Sequence, residues 1–478
     1  MHIGIHHWRA AGVAAIALTC LAVTGCSSIG HKQVIGTTKT AQSGSEGASD
    51  RSKAGRPIAI FFDGTHNNEV TDTNVKRLHS LVTLQQRDDI TALYVEGVGT
   101  STDVAGMATG AGIGARVRLV YEFLLTHRKQ GDRIYVFGFS RGAYAARILT
   151  AMLYHAGLPA TGSATPREVA ELVFDTVKHE YAEDAEPQRR ADVQKALRVA
   201  KLKKATIDLS GAPVAVEVLG LWDTVEALGG HEWGSKLLHK MRLRQHTADV
   251  GNANRRYGDT LCNVRHAFHA VSIDDDREWV FTPLLLTRDH LLRGCTKVAG
   301  TLSDVFAPER LQEIWFAGAH LDVGGGYQDS LLSGVSLNWM IGRVRNVSGD
   351  DILPSVAGVR QDPYGTSHDP EGGAFAPIYH GVSRDLVGYA LSPRTMAGYE
   401  RRICVHPSVF DRRLAAHPKP HENHQLLLRE KGRVCLRPDS SNDFDLKGRL
   451  EEDRERPPNH CEPGQPYIVI ESHCPGAN

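Results

Sequence analysis

Gly138-Phe139-Ser140-Arg141-Gly142 forms a Gly-x-Ser-x-Gly pattern. It follows an apolar run, RIYVF, and opens onto AYAARILTAML, whose apolar residues recur at helical spacing. A nucleophilic serine on a strand-to-helix turn requires this context. Glycines on both sides relieve the crowding of a sharp turn, and the hydroxyl is lifted beside a helix N-terminus, where developing negative charge is favoured. The plainer reading is a strand–turn–helix with a buried serine. A serine hydroxyl is a weak nucleophile alone and needs a base and an orienting acid. The apolar run VAVEVLGLW ends on Asp223, and EIWFAGA ends on His320. Ser140, Asp223 and His320 thus each close an apolar run, in the order nucleophile, acid, base.

Other residues compete for these roles. Asp322 lies two positions from His320 and is either the acid or an anchor beside it, and Asp274, Asp275 and Asp276 also follow an apolar run. His266 and His269 sit inside a strand pattern and read as packing residues, while His406 and His424 fall in an irregular region. An oxyanion needs two aligned backbone donors. Arg141, next after the serine, supplies one; Gly64, in the turn Asp63-Gly64-Thr65, is the candidate for the other. The same turn also reads as a simple capped turn. Asp63 and Asp322 are read as supporting carboxylates. The glycines at 110, 112 and 114 lack a Walker lysine and read as a lead-in to a helix. No Cys-x-x-Cys occurs, and His421-Glu422-Asn423-His424 lacks the His-Glu-x-x-His spacing, so neither a metal nor a cofactor is expected.

The elements that must carry these residues alternate. PIAIFF (57–62), ALYVEGVG, RIYVFGFS, VAVEVLGLWDT, VRHAFHAVS and EIWFAGAH read as strands. TNVKRLHSLVTL, ARVRLVYEFLLTHR and RGAYAARILTAMLYHAG read as helices between them. Such alternation predicts an α/β fold with a mostly parallel sheet covered on both faces. Two stretches interrupt it, near 160–210 and 228–260; each is either a lid over the sheet's C-terminal edge or a solvated helical excursion. Residues 352–478 are Pro-rich and charged and read as a loop-rich extension.

The N-terminus reads differently. Residues 1–25 combine a short head with an apolar run from Ala10 to Gly25, the shape of a signal peptide, and Val23-Thr24-Gly25-Cys26 resembles a bacterial lipobox. Cys26 is therefore the expected lipidation site, and the resemblance to lipoproteins implies outer-membrane sorting from Ser27 beside it. Residues 26–55 read as a flexible tether, leaving 56–351 as the expected main domain. Six cysteines remain after Cys20 and Cys26: Cys262, Cys295, Cys404, Cys435, Cys461 and Cys474. An even count in an exported chain predicts up to three disulfides, most simply between sequential neighbours. Lys plus Arg equals Asp plus Glu at 55 each, so no basic field invites nucleic acid.

Phe62-Asp63-Gly64-Thr65, Thr73-Asn74-Val75, Gly97-Val98-Gly99-Thr100, Gly138-Phe139-Ser140-Arg141-Gly142-Ala143, Leu221-Trp222-Asp223-Thr224-Val225 and the run from Gly318 to Tyr327 occur in order. Together, across about 56–345, they resemble the α/β-hydrolase catalytic domain of type VI secretion phospholipase effectors, first lipase class. The resemblance implies a Ser-Asp-His hydrolase of phospholipid acyl esters, with the triad on Ser140, Asp223 and His320. The substrate is then a lipid or ester and the chemistry needs no cofactor. With Cys26 lipidated, the enzyme would face the periplasm from the outer membrane. The lipoprotein signal sets this chain apart from the secreted effectors. Two further readings stand beside it: an esterase or thioesterase on other esters, and a non-catalytic envelope lipoprotein using the same scaffold.

Overall fold

In the computed structural model the described residues are 55–64, 72–97, 112–178, 186–202, 213–225, 257–277, 281–292, 295, 310–349, 351–354, 358–370, 384–413, 432–436, 461, 467–472 and 474. The signal, Cys26 and nearly all of the tether lie outside them, as do most of the 228–260 stretch, His421 and His424. No helix among the described residues is long and apolar enough to cross a membrane.

Six strands build the main sheet: β1 (Pro57–Phe62), β2 (Thr91–Val95), β3 (Arg133–Phe139), β4 (Val216–Trp222), β5 (Val264–Ser272) and β6 (Leu311–Phe316). They run parallel in the order β2-β1-β3-β4-β5-β6. Both faces are buried, so the strands read as continuous apolar runs. In β1, Ile58, Ile60 and Phe62 enter one core and Ala59 and Phe61 the other. Helices α1 (Asn74–Thr83), α2 (Ile113–His127) and α3 (Arg141–His155) follow the sequence expectation closely. Thr73 caps α1 by accepting from the Lys76 N–H.

The chain passes from β1 to β2 on one side and then returns across β1 to β3. This reversal opens a crevice at the C-terminal ends of β1 and β3, where an open parallel sheet holds its ligand. The turn carrying Ser140 leaves β3 at that point.

The 160–210 stretch contains α4 (Pro166–Val177) and α5 (Glu186–Val199). Val169, Val173, Phe174, Val177, Val193 and Leu197 join the core of α2 and α3. This stretch is thus an added packed layer rather than a solvated excursion. The short α6 (His320–Gly324) and the long α7 (Leu331–Ser348) follow β6; α7 packs on the face opposite α3.

The C-terminal extension holds more structure than its composition suggests. Helix α8 (Leu386–Leu391), β7 (Arg402–Cys404), α9 (Pro407–Arg413), β8 (Gly432–Cys435) and β9 (Tyr467–Glu471) belong to it, with sheet order β7-β9-β8. Its apolar residues pack with Trp315 and Val271 of the main sheet, and the His406 N–H donates to the Trp315 carbonyl at 2.9 Å, covering the β6 edge. The disulfides are Cys262–Cys295, Cys404–Cys474 and Cys435–Cys461. The sequential expectation holds for the first and fails for the others, which are nested. The cause is strand pairing: Cys404 stands opposite Glu471 and Cys435 opposite Tyr467, so each thiol lies nearest the cysteine just beyond β9 or just before it.

Candidate active site

Ser140 sits between β3 and α3 with φ 56° and ψ −124°, a conformation costly for a residue with a Cβ. The tight turn is possible because of its neighbours. A Cβ on Gly138 would lie 2.6 Å from the Ala143 Cα, and one on Gly142 would lie 2.3 Å from the Phe62 carbonyl oxygen. Only glycine fits either place. The Ser140 N–H donates to the Trp222 carbonyl at 3.0 Å, fastening the turn to the end of β4.

Asp223 follows immediately, also at positive φ (37°), and its N–H donates to the Ala270 carbonyl at 2.7 Å. Its carboxylate is fully buried and receives four donors. These are the Ser272 N–H (3.0 Å), His320 Nδ1 (2.5 Å) and two nitrogens of Arg384 (2.6 and 2.9 Å). Burial alone would raise its pKa. The Arg384 charge, then the His320 hydrogen bond and charge, overcome burial and hold it far below the usual carboxylate range. An ionised carboxylate only accepts, so the proton between the pair sits on Nδ1 and Nε2 of His320 keeps its lone pair.

His320 opens α6 and is nearly buried. Phe139, the residue before Ser140, packs against its ring at 4.6 Å, and Phe281 meets it edge-on at 4.9 Å. Burial lowers its pKa below the ordinary 6.5; the hydrogen bond and charge of Asp223 and the charge of Asp275 recover only part, and Arg277 pushes further down. The structure therefore brings Ser140, Asp223 and His320 to the same end of the sheet, with the acid–base contact made.

The competing carboxylates have other partners. Asp322 accepts from the Ala319 N–H (3.0 Å), the His368 N–H (3.0 Å) and His368 Nδ1 (2.6 Å), and Tyr327 stacks on His368 at 3.8 Å. Asp274 accepts from the Gly318 N–H and Asp275 from the His320 N–H, so this pair holds the backbone of the His320 loop. His269, within β5, pairs with Glu313 and Thr224 and not with the serine turn. His406 stacks on Phe316 in the edge-covering segment.

Arg141 is the first residue of α3, where backbone N–H groups lack a partner within the helix. Gly64 is a correction. Its N–H donates to Asp63 Oδ1 at 2.7 Å, and an amide hydrogen committed to a carboxylate is not aimed at a substrate oxygen. Asp63 is instead a buried hub that also accepts from Thr73 (2.7 Å) and Tyr94 (2.5 Å). Burial pushes it up to about 6 against those hydrogen bonds. Thr65 lies outside the described residues.

Two residues of this site carry no local mark in the sequence. Arg384 and His368 come from the extension, and each clamps a carboxylate beside His320. Among the described residues no metal-ligand group lies near Ser140, Asp223 and His320; the one cluster with metal-type side chains, Cys404, Glu471 and Cys474, includes a disulfide.

A six-stranded parallel sheet in this order, with a strained serine turn after its third strand, defines the α/β-hydrolase class. The sequence matches the family described as T6SS phospholipase effector Tle1-like, catalytic domain, over residues 56–343, and the chain belongs to that family. It is similar to an uncharacterized protein of Saccharomyces cerevisiae, YEL023C. The two are 28% identical over 259 residues, 49% of this chain and 34% of that protein. Among solved structures it is similar to an uncharacterized protein from Pseudomonas aeruginosa, at 19% identity, covering 62% of this chain and 47% of that one, with a TM-score of 0.34. It is also similar to the Est2 esterase of Thermogutta terrifontis, at 15% identity, covering 64% and 85%, with a TM-score of 0.31. The Tle1 effector bound to the VgrG spike shares 18% identity, covering 62% and 58%, with a TM-score of 0.26. The chain spans about a third of the yeast relative's length and about half of the Pseudomonas protein's.

Proposed function

We propose that the protein is a serine hydrolase of carboxylic esters, with phospholipid acyl esters as its substrates, acting through Ser140, Asp223 and His320. The observation that carries this reading is the hydrogen bond from His320 Nδ1 to the buried Asp223 carboxylate, beside a serine held in a strained turn. His320 Nε2 takes the Ser140 proton as Oγ attacks the ester carbonyl, and the imidazolium that forms is stabilised by Asp223. The Arg141 amide, at the N-terminus of α3, is the donor we assign to the oxyanion. The tetrahedral adduct collapses, His320 returns the proton to the leaving alkoxide, and water repeats the sequence on the acyl-serine. The phospholipid assignment comes from the family. The lipid anchor at Cys26 and an outer-membrane site facing the periplasm belong to the same proposal and rest on residues 23–27.

The test is an ester series, from short p-nitrophenyl esters to phosphatidylethanolamine–phosphatidylglycerol vesicles, with Ser140→Ala in parallel. Release of fatty acid from vesicles by the wild type alone supports the reading. Hydrolysis confined to short esters moves the substrate class to other esters. Equal rates for wild type and Ser140→Ala refute the serine mechanism.

A further inference from the structure

Arg384 lies outside the segment that matches the family's catalytic domain, yet its side chain is fully buried against Asp223. Its guanidinium donates to three different segments among the described residues. Nη1 donates to Asp223 Oδ1 and to the Ser272 carbonyl, both at 2.6 Å. Nη2 donates to Asp223 Oδ2 at 2.9 Å and to the Phe281 carbonyl at 2.8 Å. Asp223 orients the His320 ring and the Phe281 ring packs against it. The guanidinium thus gathers the ends of β4 and β5 and the Phe281 loop around one imidazole.

The seat of Arg384 is itself firm. Asp385 caps α8 by accepting from the Gly388 N–H, and Leu386, Val387, Tyr389 and Ala390 of α8 are buried among Trp315, Ile403, Val405, Ile468 and Ile470. The small sheet beneath α8 is fastened by Cys404–Cys474 and Cys435–Cys461.

We propose that Arg384 is a positioning residue of the active site, so that the C-terminal extension completes a catalytic centre whose other parts lie in the family's domain. This rests on the Ser140–Asp223–His320 reading. Arg384 acts on His320 only through Asp223, and in two opposite ways. The planar fork fixes both carboxylate oxygens, which a lysine cannot do. The same positive charge draws on the carboxylate that faces His320 and weakens its hold on the imidazolium. The charged groups around His320 are Asp223 and Asp275 on the negative side and Arg277 and Arg384 on the positive side. Removing Arg384 leaves Asp223 uncompensated, so the imidazole binds its proton more tightly.

The full chain is assayed on p-nitrophenyl butyrate across pH, as wild type, Arg384→Gln and Arg384→Lys, with Ser140→Ala and the exposed-helix variant Arg167→Gln as controls. For Arg384→Gln, kcat should fall roughly 10–100-fold, the scale of a lost charge-assisted contact, with KM little changed. The acid limb of its kcat/KM profile should also move up by about one pH unit. Arg384→Lys keeps the charge, so its limb should stay near the wild-type position while kcat falls. A role confined to folding would lower the melting temperature without moving the limb. Wild-type kcat in Arg384→Gln, or a fallen kcat with an unmoved limb, overturns the proposal. Should Arg384→Gln fail to fold, Arg384→Lys decides by the same kcat criterion, wild-type turnover overturning the proposal. An inactive wild type, or an active Ser140→Ala, refutes the triad reading instead.

Discussion

Replacing Asp223 with Asn exchanges one oxygen for an NH2 at a carboxylate that has only donors around it. One oxygen faces the Ser272 N–H and Arg384 Nη1; the other faces His320 Nδ1 and Arg384 Nη2. An amide can place its single oxygen on one side only. With the NH2 toward His320, Nδ1 must accept, the ring proton moves to Nε2, and the base is lost. With the NH2 toward Ser272, two donors oppose two hydrogens in a fully buried place. The first arrangement removes the tautomer that catalysis needs, a loss on the order of 10⁴ in turnover, or about 5 kcal/mol of barrier. Arg384 is also left as a buried charge without its counter-ion, which costs about 3–5 kcal/mol of stability. The variant must therefore be assayed below its own melting transition. Asp322→Asn is the comparison. Asp322 contacts Ala319 and His368, so its loss loosens the loop without changing the His320 tautomer, and roughly 10–100-fold is expected. Steady-state hydrolysis of a soluble ester, with thermal melts for both proteins, measures the pair. Greater loss in Asp322→Asn than in Asp223→Asn, both folded, would refute the assignment and give the acid role to Asp322.

Gly142→Ala places a methyl group 2.3 Å from the Phe62 carbonyl oxygen; the turn must shift, lowering stability by about 1–3 kcal/mol and turnover with it, as melting and activity assays would register. Because burial holds His320 below the ordinary 6.5, the neutral base persists on the acid side. The acid limb of kcat/KM should accordingly have its midpoint under that value, and a midpoint above it would contradict the environment described. Cys26→Ser should abolish incorporation of labelled fatty acid at that position; labelling that persists would exclude the lipobox.

The strands were legible because a parallel sheet buried on both faces imposes unbroken apolar runs. PIAIFF and VRHAFHAVS occupy β1 and β5 with the expected limits. Ser140, Asp223 and His320 could be picked out because each closes such a run. Arg384 could not, since it lies 161 residues from Asp223 and its local sequence, Arg-Asp-Leu, marks only a helix start. His368 was hidden in the same way, its partner 46 residues away. The direction of the Gly64 amide depends on Asp63 turning inward to meet Thr73 and Tyr94, contacts that no spacing rule contains. The nested disulfides follow from β9 lying between β7 and β8, an order set by tertiary packing.

The staples of the extension give the proposed activity a sense of time. While the thiols are reduced, the chain already carries Ser140, Asp223 and His320, but the two bonds that fasten the platform of Arg384 are still open. Cys404–Cys474 and Cys435–Cys461 close only where oxidants are present, and they close around the sheet on which α8 rests. On the reading proposed above, ester hydrolysis would wait on these two bonds. Protein refolded with its thiols blocked should hydrolyse esters slowly, and the oxidised protein should do so at full rate. Equal rates would mean that packing alone holds the platform and that no such delay exists.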